Sequence, residues 1–127
     1  MTYHQLGMIA QEQRDFQTAE KWCRKSLEIS EKQGNEHGAA STYGQLGILF
    51  RLKEEYELSG RWLIRSIQGF ANTGDDSRAQ LVVDHFVTTY KAAPDFMHDR
   101  LESMWTQAGF GDFGRLINSQ QAHDPVS

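Results

Sequence analysis

Apolar residues along the first ninety positions recur at helical spacing and give way to polar runs at regular intervals. Tyr3, Leu6, Ile9 and Ala10 form one stripe, the polar run Gln11 to Asp15 interrupts it, and Phe16, Ala19, Trp22, Cys23, Leu27 and Ile29 form a second. Spacings of three and four residues place each set on one side of an α-helix, so each stripe predicts an amphipathic helix with one buried face. Gly34 ends the second stripe, because a glycine just past the last turn adopts a left-handed conformation cheaply, and Asn35 beside it can cap the next helix. The pattern then returns as Tyr43, Leu46, Leu49 and Phe50, a turn near Lys53 and Glu54, and Tyr56, Trp62, Leu63, Ile67 and Phe70. A third pair follows, with Val82, Val83, Phe86, Val87 and Tyr90 before Pro94, and Met97, Leu101, Met104, Trp105 and Ala108 before Gly109. Pro94 and Pro125 are the two prolines, so no proline interrupts a helix before position 94 and an all-α chain is expected.

The returning pattern is a repeat in residue identity as well as in polarity. Residues 1–40 slid onto 41–80 match at Thr2/Thr42, Tyr3/Tyr43, Gln5/Gln45, Leu6/Leu46, Gly7/Gly47, Trp22/Trp62, Ser26/Ser66, Gly34/Gly74 and Ala39/Ala79. Conservative exchanges lie between them, among them Met8/Ile48, Ile9/Leu49, Asp15/Glu55, Phe16/Tyr56, Leu27/Ile67 and Asn35/Asp75. A further shift keeps Phe86 with Leu46 and Phe96 with Tyr56 but turns Gly47 into Val87 and Trp62 into Glu102. The third unit is degenerate, as expected for the end of a stack whose outer face meets solvent.

The set Tyr3, Leu6, Gly7, Ala19 and Leu27, echoed by Tyr43, Leu46, Gly47, Ser59 and Ile67, resembles the tetratricopeptide repeat (TPR) pattern of an aromatic, Leu-Gly, a small residue and a late apolar position. A period of 40 against about 34 for the commonest form is similar to the longer-helix variety of that family. Ala10 stands where the pattern has a second aromatic, Cys23 and Leu63 replace another, and the late proline is absent from both units. The resemblance implies an α-solenoid of about three TPR-like hairpins, with repeats at 1–34, 35–74 and 75–109, then a short capping helix with the stripe Phe110, Phe113, Leu116 and Ile117 within 110–127 and a mobile tail from Asn118. It places Gly7 and Gly47 where the two helices of a hairpin cross, opposite Ala19 and Ser59. The first apolar stripe has no Ser, Thr, Asp or Asn read as a cap ahead of it. The first repeat therefore reads as cut, which predicts a longer array or a second copy packed on an open first helix.

Charge narrows the partners. Thirteen Lys and Arg against 17 Asp and Glu leave a net charge of −4, so neither nucleic acid nor an anionic membrane surface is expected. No apolar run approaches the roughly 18 residues of a membrane span. The lone Cys23 forms no internal disulfide and the N-terminus lacks a secretory pattern, which points to a reducing cytoplasm.

Nothing in the chain matches a catalytic or phosphate-binding motif, so neither an enzyme nor a cofactor is expected. His4, His37, His85, His98 and His123 have no metal-ligand spacing and read as groups that titrate. Cys23, on an apolar stripe, reads as a buried small hydrophobe. Trp22, Trp62 and Trp105 are expected to pack between repeats or on the outer surface, and Glu54, Glu55 and Glu57 to form a solvated helix start without a partner.

The function implied by the resemblance is binding of a peptide or protein in the concave groove lined by first helices. The positions carried over are His4, Gln5, Met8, Gln11, Gly44, Gln45, Ile48, Arg51, Asp84, His85, Thr88 and Lys91. Chaperone-binding members hold a terminal carboxylate with Lys, Asn and Arg; the matching positions here are His4, Met8, Gln45, Leu81 and His85, which disfavours that mode. A role within a larger regulator or scaffold follows by the same analogy. The alternatives are a self-assembling module that uses hairpin ends and a small-ligand sensor with a pocket near Met8 and Ile48.

Overall fold

The computed structural model describes residues 2–122 and contains seven α-helices, with no strand among the described residues. They are α1 (Tyr3–Glu12), α2 (Phe16–Lys32), α3 (Glu36–Leu52), α4 (Tyr56–Asn72), α5 (Asp76–Ala92), α6 (His98–Gln107) and α7 (Phe113–Ala122), with a 3-10 turn at Asp95–Met97. Helices α2 to α5 are each 17 residues long. The turns between helices are built alike: Arg14, Gly34, Glu54 and Gly74 all have a left-handed backbone, with φ of 60°, 64°, 63° and 78°. After each, Asp15, Asn35, Glu55 and Asp75 donate their N–H groups to the carbonyls of Ala10, Ser30, Phe50 and Phe70, closing the helix ends in the Schellman manner. Asp15, Asn35 and Asp75 then cap the following helix, accepting from Thr18, Gly38 and Arg78 N–H at 3.2, 2.8 and 3.1 Å.

The geometric unit is therefore twenty residues, half the period legible in residue identities. Ala19, Ala39, Ser59 and Ala79 mark it as small buried residues near each helix start. Pro94 falls where the next left-handed residue would stand, and its ring holds φ at −64°. The chain there makes a 3-10 turn in place of the recurring one, so Phe96, aligned in sequence with Phe16 and Tyr56, is 83% exposed.

Each helix from α1 to α4 packs on its successor, α1 and α5 both touch α3, and α6 packs on α4, giving stacked hairpins. The crossing inside the second hairpin depends on Gly47: a Cβ there would collide with Leu63, and Ser59 Oγ donates to the Gly47 carbonyl at 2.7 Å. In the first hairpin a Cβ on Gly7 would lie 2.8 Å from Gln45 Nε2 and 3.3 Å from Cys23 Sγ. Leu46, Leu49, Leu63, Phe86 and Leu101 are fully buried, each contributing about 1.5–3 kcal/mol relative to exposure. Phe113 of α7 is buried against Phe86, Tyr90 and Trp105, while Phe110, Leu116 and Ile117 pack at the edge, so α7 caps the last hairpin.

Several expectations are corrected. Thr2 does cap α1: its Oγ1 accepts from Gln5 N–H at 3.1 Å and Gln5 Oε1 accepts from Thr2 N–H at 3.0 Å, a capping box. Tyr3, Ile9 and Ile29 are exposed and Leu6 is half-buried, because no helix lies over that side of the first hairpin among the described residues. The first two tryptophans keep the partial exposure expected of them: Trp22 stacks on Tyr3 at 5.3 Å and Trp62 on Tyr43 at 5.7 Å, both half-buried, and Arg24 of the first hairpin lies over the Trp62 ring. Glu57 has partners: Arg61 and Arg100 donate to it at 2.9 and 2.8 Å, which lowers its pKa. Helix α7 runs through Asn118 to Ala122, and the remainder of the expected tail, with His123, lies outside the described residues.

Candidate functional site

Helices α1, α3 and α5 line one side of the stack, and between them opens a cleft of about 250 Å³. His4, Met8, Gln11, Gly44, Gln45, Ile48 and His85 of the residues expected in a groove line it. Gln5, Arg51, Asp84, Thr88 and Lys91 do not. Gln5 is engaged in the α1 cap. Arg51 Nη1 donates to the His85 carbonyl at 3.1 Å and ties α3 to α5. Asp84 accepts from Gln80, Thr88 donates to the Asp84 carbonyl, and Lys91 is exposed.

Gln45 is buried, 7% exposed, and holds α3 to α1 by donating from Nε2 to the His4 carbonyl at 3.2 Å. Its room comes from Gly7, whose absent side chain would meet that nitrogen. Gln45 Oε1 and Gln11 Oε1 are both buried without a hydrogen-bond partner. The walls missed from the sequence are Ser41, Phe70, Arg78 and Val82, while the sequence offers Leu81 only as a position matching the carboxylate clamp. A signal for part of this set was available: 78, 81, 82 and 85 are spaced i, i+3, i+4 and i+7, one ridge of a helix, so His85 implied Arg78, Leu81 and Val82.

Met8 and Leu81 are 45% and 60% exposed, so the rim is apolar. Burial lowers the pKa of His4 and, with the Arg51 guanidinium nearby, of His85, while Asp84 opposes the shift at His85. Arg78 contacts Asp75 at 3.1 Å, and Asp75 also meets His37 Nε2 at 2.9 Å; the bond from His37 is the main reason its carboxyl pKa is lowered. Away from the cleft, Cys23 is buried and its thiol is pushed up to about 12 by burial, the state of an inert core residue. No group of three His, Cys, Asp or Glu side chains able to hold a metal occurs among the described residues.

The tetratricopeptide repeat family profile matches residues 1–81, about two-thirds of the chain. The chain belongs to the tetratricopeptide repeat family. No curated protein and no solved structure matches it. TPR modules generally mediate protein–protein interactions and are typically non-catalytic. No helix of the described residues is long and apolar enough to cross a membrane. The matched segment holds α1 to α4 and ends within α5 at Leu81, and so includes every cleft residue except Val82 and His85.

Proposed function

We propose that this TPR protein is a non-catalytic module that binds a segment of a peptide or protein partner in the cleft between α1, α3 and α5. The observation that carries the reading is the pairing of an apolar rim at Met8 and Leu81 with a buried polar floor at Gln45. An apolar rim over a polar floor suits a chain that buries side chains while its amides find partners. At about 250 Å³ the cleft lies below the roughly 300–1,000 Å³ of small-molecule pockets, which favours a partner extending beyond it. On family grounds the module acts within a larger cytoplasmic regulator or scaffold.

The test is affinity capture with the cleft variant Met8→Glu/Leu81→Glu beside Lys25→Glu on the outer helix α2, with circular dichroism as the fold check. The cleft variant should lose the captured partner while the α2 variant keeps it; equal capture by both would end the proposal. Gln45 and Arg51 are poor choices here because each holds neighbouring helices together.

A second reading is self-association through the exposed side of the first hairpin. Ile9 is exposed where its equivalent Leu49 is sealed, and Ile29 is exposed where Gly69 lies against Ala40. Sedimentation of Ile9→Lys against the parent chain decides it: a dimer lost in the variant supports the reading, and a monomer in both removes it.

A further inference from the structure

We propose, resting on the reading of the cleft as a binding site, that it also receives a second copy of this chain: two molecules pack their α5 helices antiparallel, and Phe96 of each enters the cleft of the other. The two most exposed large apolar side chains among the described residues are Phe96, 83% exposed, and Leu81, 60% exposed. They bracket α5, with Leu81 in its first half at the cleft rim and Phe96 in the turn past its end. Exposed apolar surface of this kind marks a contact site. An antiparallel pair of α5 helices buries both side chains against each other, once at each end of the contact.

The face between them is complementary to itself. Leu81, Asp84, Thr88 and Lys91 are all exposed and spaced i, i+3, i+7 and i+10, one stripe along the helix. A two-fold axis through Thr88 brings Asp84 of each copy to Lys91 of the other, and Leu81 to the end carrying Asp95 and Phe96. Such a contact is isologous and closes as a dimer. The cleft agrees with its occupant. Its described lining has no Asp or Glu, and Arg78 meets Asp75 through Nε at 3.1 Å, which leaves its terminal nitrogens for another carboxylate. Asp95 and Asp99, both exposed, flank Phe96 and fall beside that arginine in this register. Met8, Ile48 and Leu81 supply an apolar wall, and about 250 Å³ has room for one aromatic side chain. Phe96 is held in place before it docks: Met97 N–H donates to the Pro94 carbonyl at 2.9 Å, and His98 Nε2 donates to the Ala93 carbonyl at 3.1 Å while its ring stacks on Tyr90 at 4.2 Å. Little freedom is therefore lost on pairing.

The test is sedimentation velocity over a wide range of concentration, with circular dichroism as the fold check. The parent chain should pass from monomer to dimer, and Phe96→Ala, which removes a side chain already in water, should keep the fold and weaken the dimer about tenfold or more. Asp84→Lys and Lys91→Asp should each be monomeric alone, because each sets like charges opposite one another, and an equimolar mixture of the two should dimerise again. Should either variant unfold, a dimer lost in Phe96→Ala and kept in Ile9→Lys supports the pairing by itself. A parent chain monomeric throughout, a dimer indifferent to Phe96→Ala, or a mixture of two folded variants that stays monomeric overturns it. Those results leave the peptide groove standing or falling on capture by Met8→Glu/Leu81→Glu, so the two failures are distinct.

Discussion

Leu6 and Leu46 occupy the same place in successive hairpins, yet Leu46 is sealed and Leu6 is half-buried. Ile9 and Leu49 differ more, at 39% and 0% exposed, and Gln5 and Gln45 have different tasks altogether. Gln5 closes a helix end, whereas Gln45 reaches across to the helix before it. The residues are alike and the neighbours are not: α3 has α1 and α2 lying over it, whereas among the described residues α1 packs mainly on its own hairpin partner and touches α3. The cores differ accordingly. That of the first hairpin rests on Ala10, Ala19, Cys23 and Leu27, while the second and third share Leu63, Phe70, Phe86, Leu101 and Trp105. In a stack of this kind the environment of a residue is a property of its position in the array as much as of its repeat.

The contrast can be broken most forcefully at the leucines. Leu46→Ala should cost about 3 kcal/mol in urea unfolding, and Leu6→Ala roughly half as much, because only the first leaves a sealed cavity. Equal losses would mean the two hairpins are buried alike in solution. The crossing glycines come next. Gly47→Ala should destabilise by about 1–3 kcal/mol, since its new methyl meets Leu63 close to the backbone. Gly7→Ala should be close to neutral: moving the end of the Gln45 side chain costs its bond to the His4 carbonyl, about 1 kcal/mol, which the helix-propensity gain of about 1 kcal/mol offsets. A larger loss at Gly7 than at Gly47 would reverse the ranking of the two interfaces.

Thiol labelling sharpens the contrast from another side. Cys23 holds the place of Leu63, and with its thiol pushed up to about 12 it should react with a disulfide reagent at pH 8 only when the chain unfolds. Rapid native labelling would show the first hairpin opening by itself. The smallest effect should be that of pH. The folded protein holds His85 below its ordinary value of 6.5, so the unfolded chain binds more protons under that pH and stability falls as pH drops from 6.5 toward the lowered value. His85→Gln should flatten the change in melting temperature between pH 7.5 and 5, and His4→Gln should do the same at the other wall of the cleft.

Much of the fold was legible because helical spacing and glycine placement are local. The stripes at Tyr43 to Phe50 and Tyr56 to Phe70 fall in α3 and α4, and Gly34 and Gly74 are the left-handed residues that close helices. Arg14 and Glu54 do the same work without a glycine, which hid the twenty-residue unit. The site was legible in part. Seven expected groove residues meet in the cleft because helix and register place them there, but Arg51 and Gln45 spend their donors on neighbouring backbones. Those bonds join residues 34 and 41 positions apart, a separation at which local pattern carries no information.

The sequence by itself determined the helices, the ends that glycines mark and the forty-residue repeat, since each follows from spacing and backbone preference within a few residues. Tertiary structure alone decided which of two equivalent residues is sealed, which polar groups are consumed between helices and which are left without partners in the cleft. The physical reason is that burial and hydrogen-bond satisfaction depend on what lies across an interface, and identical repeats meet different neighbours.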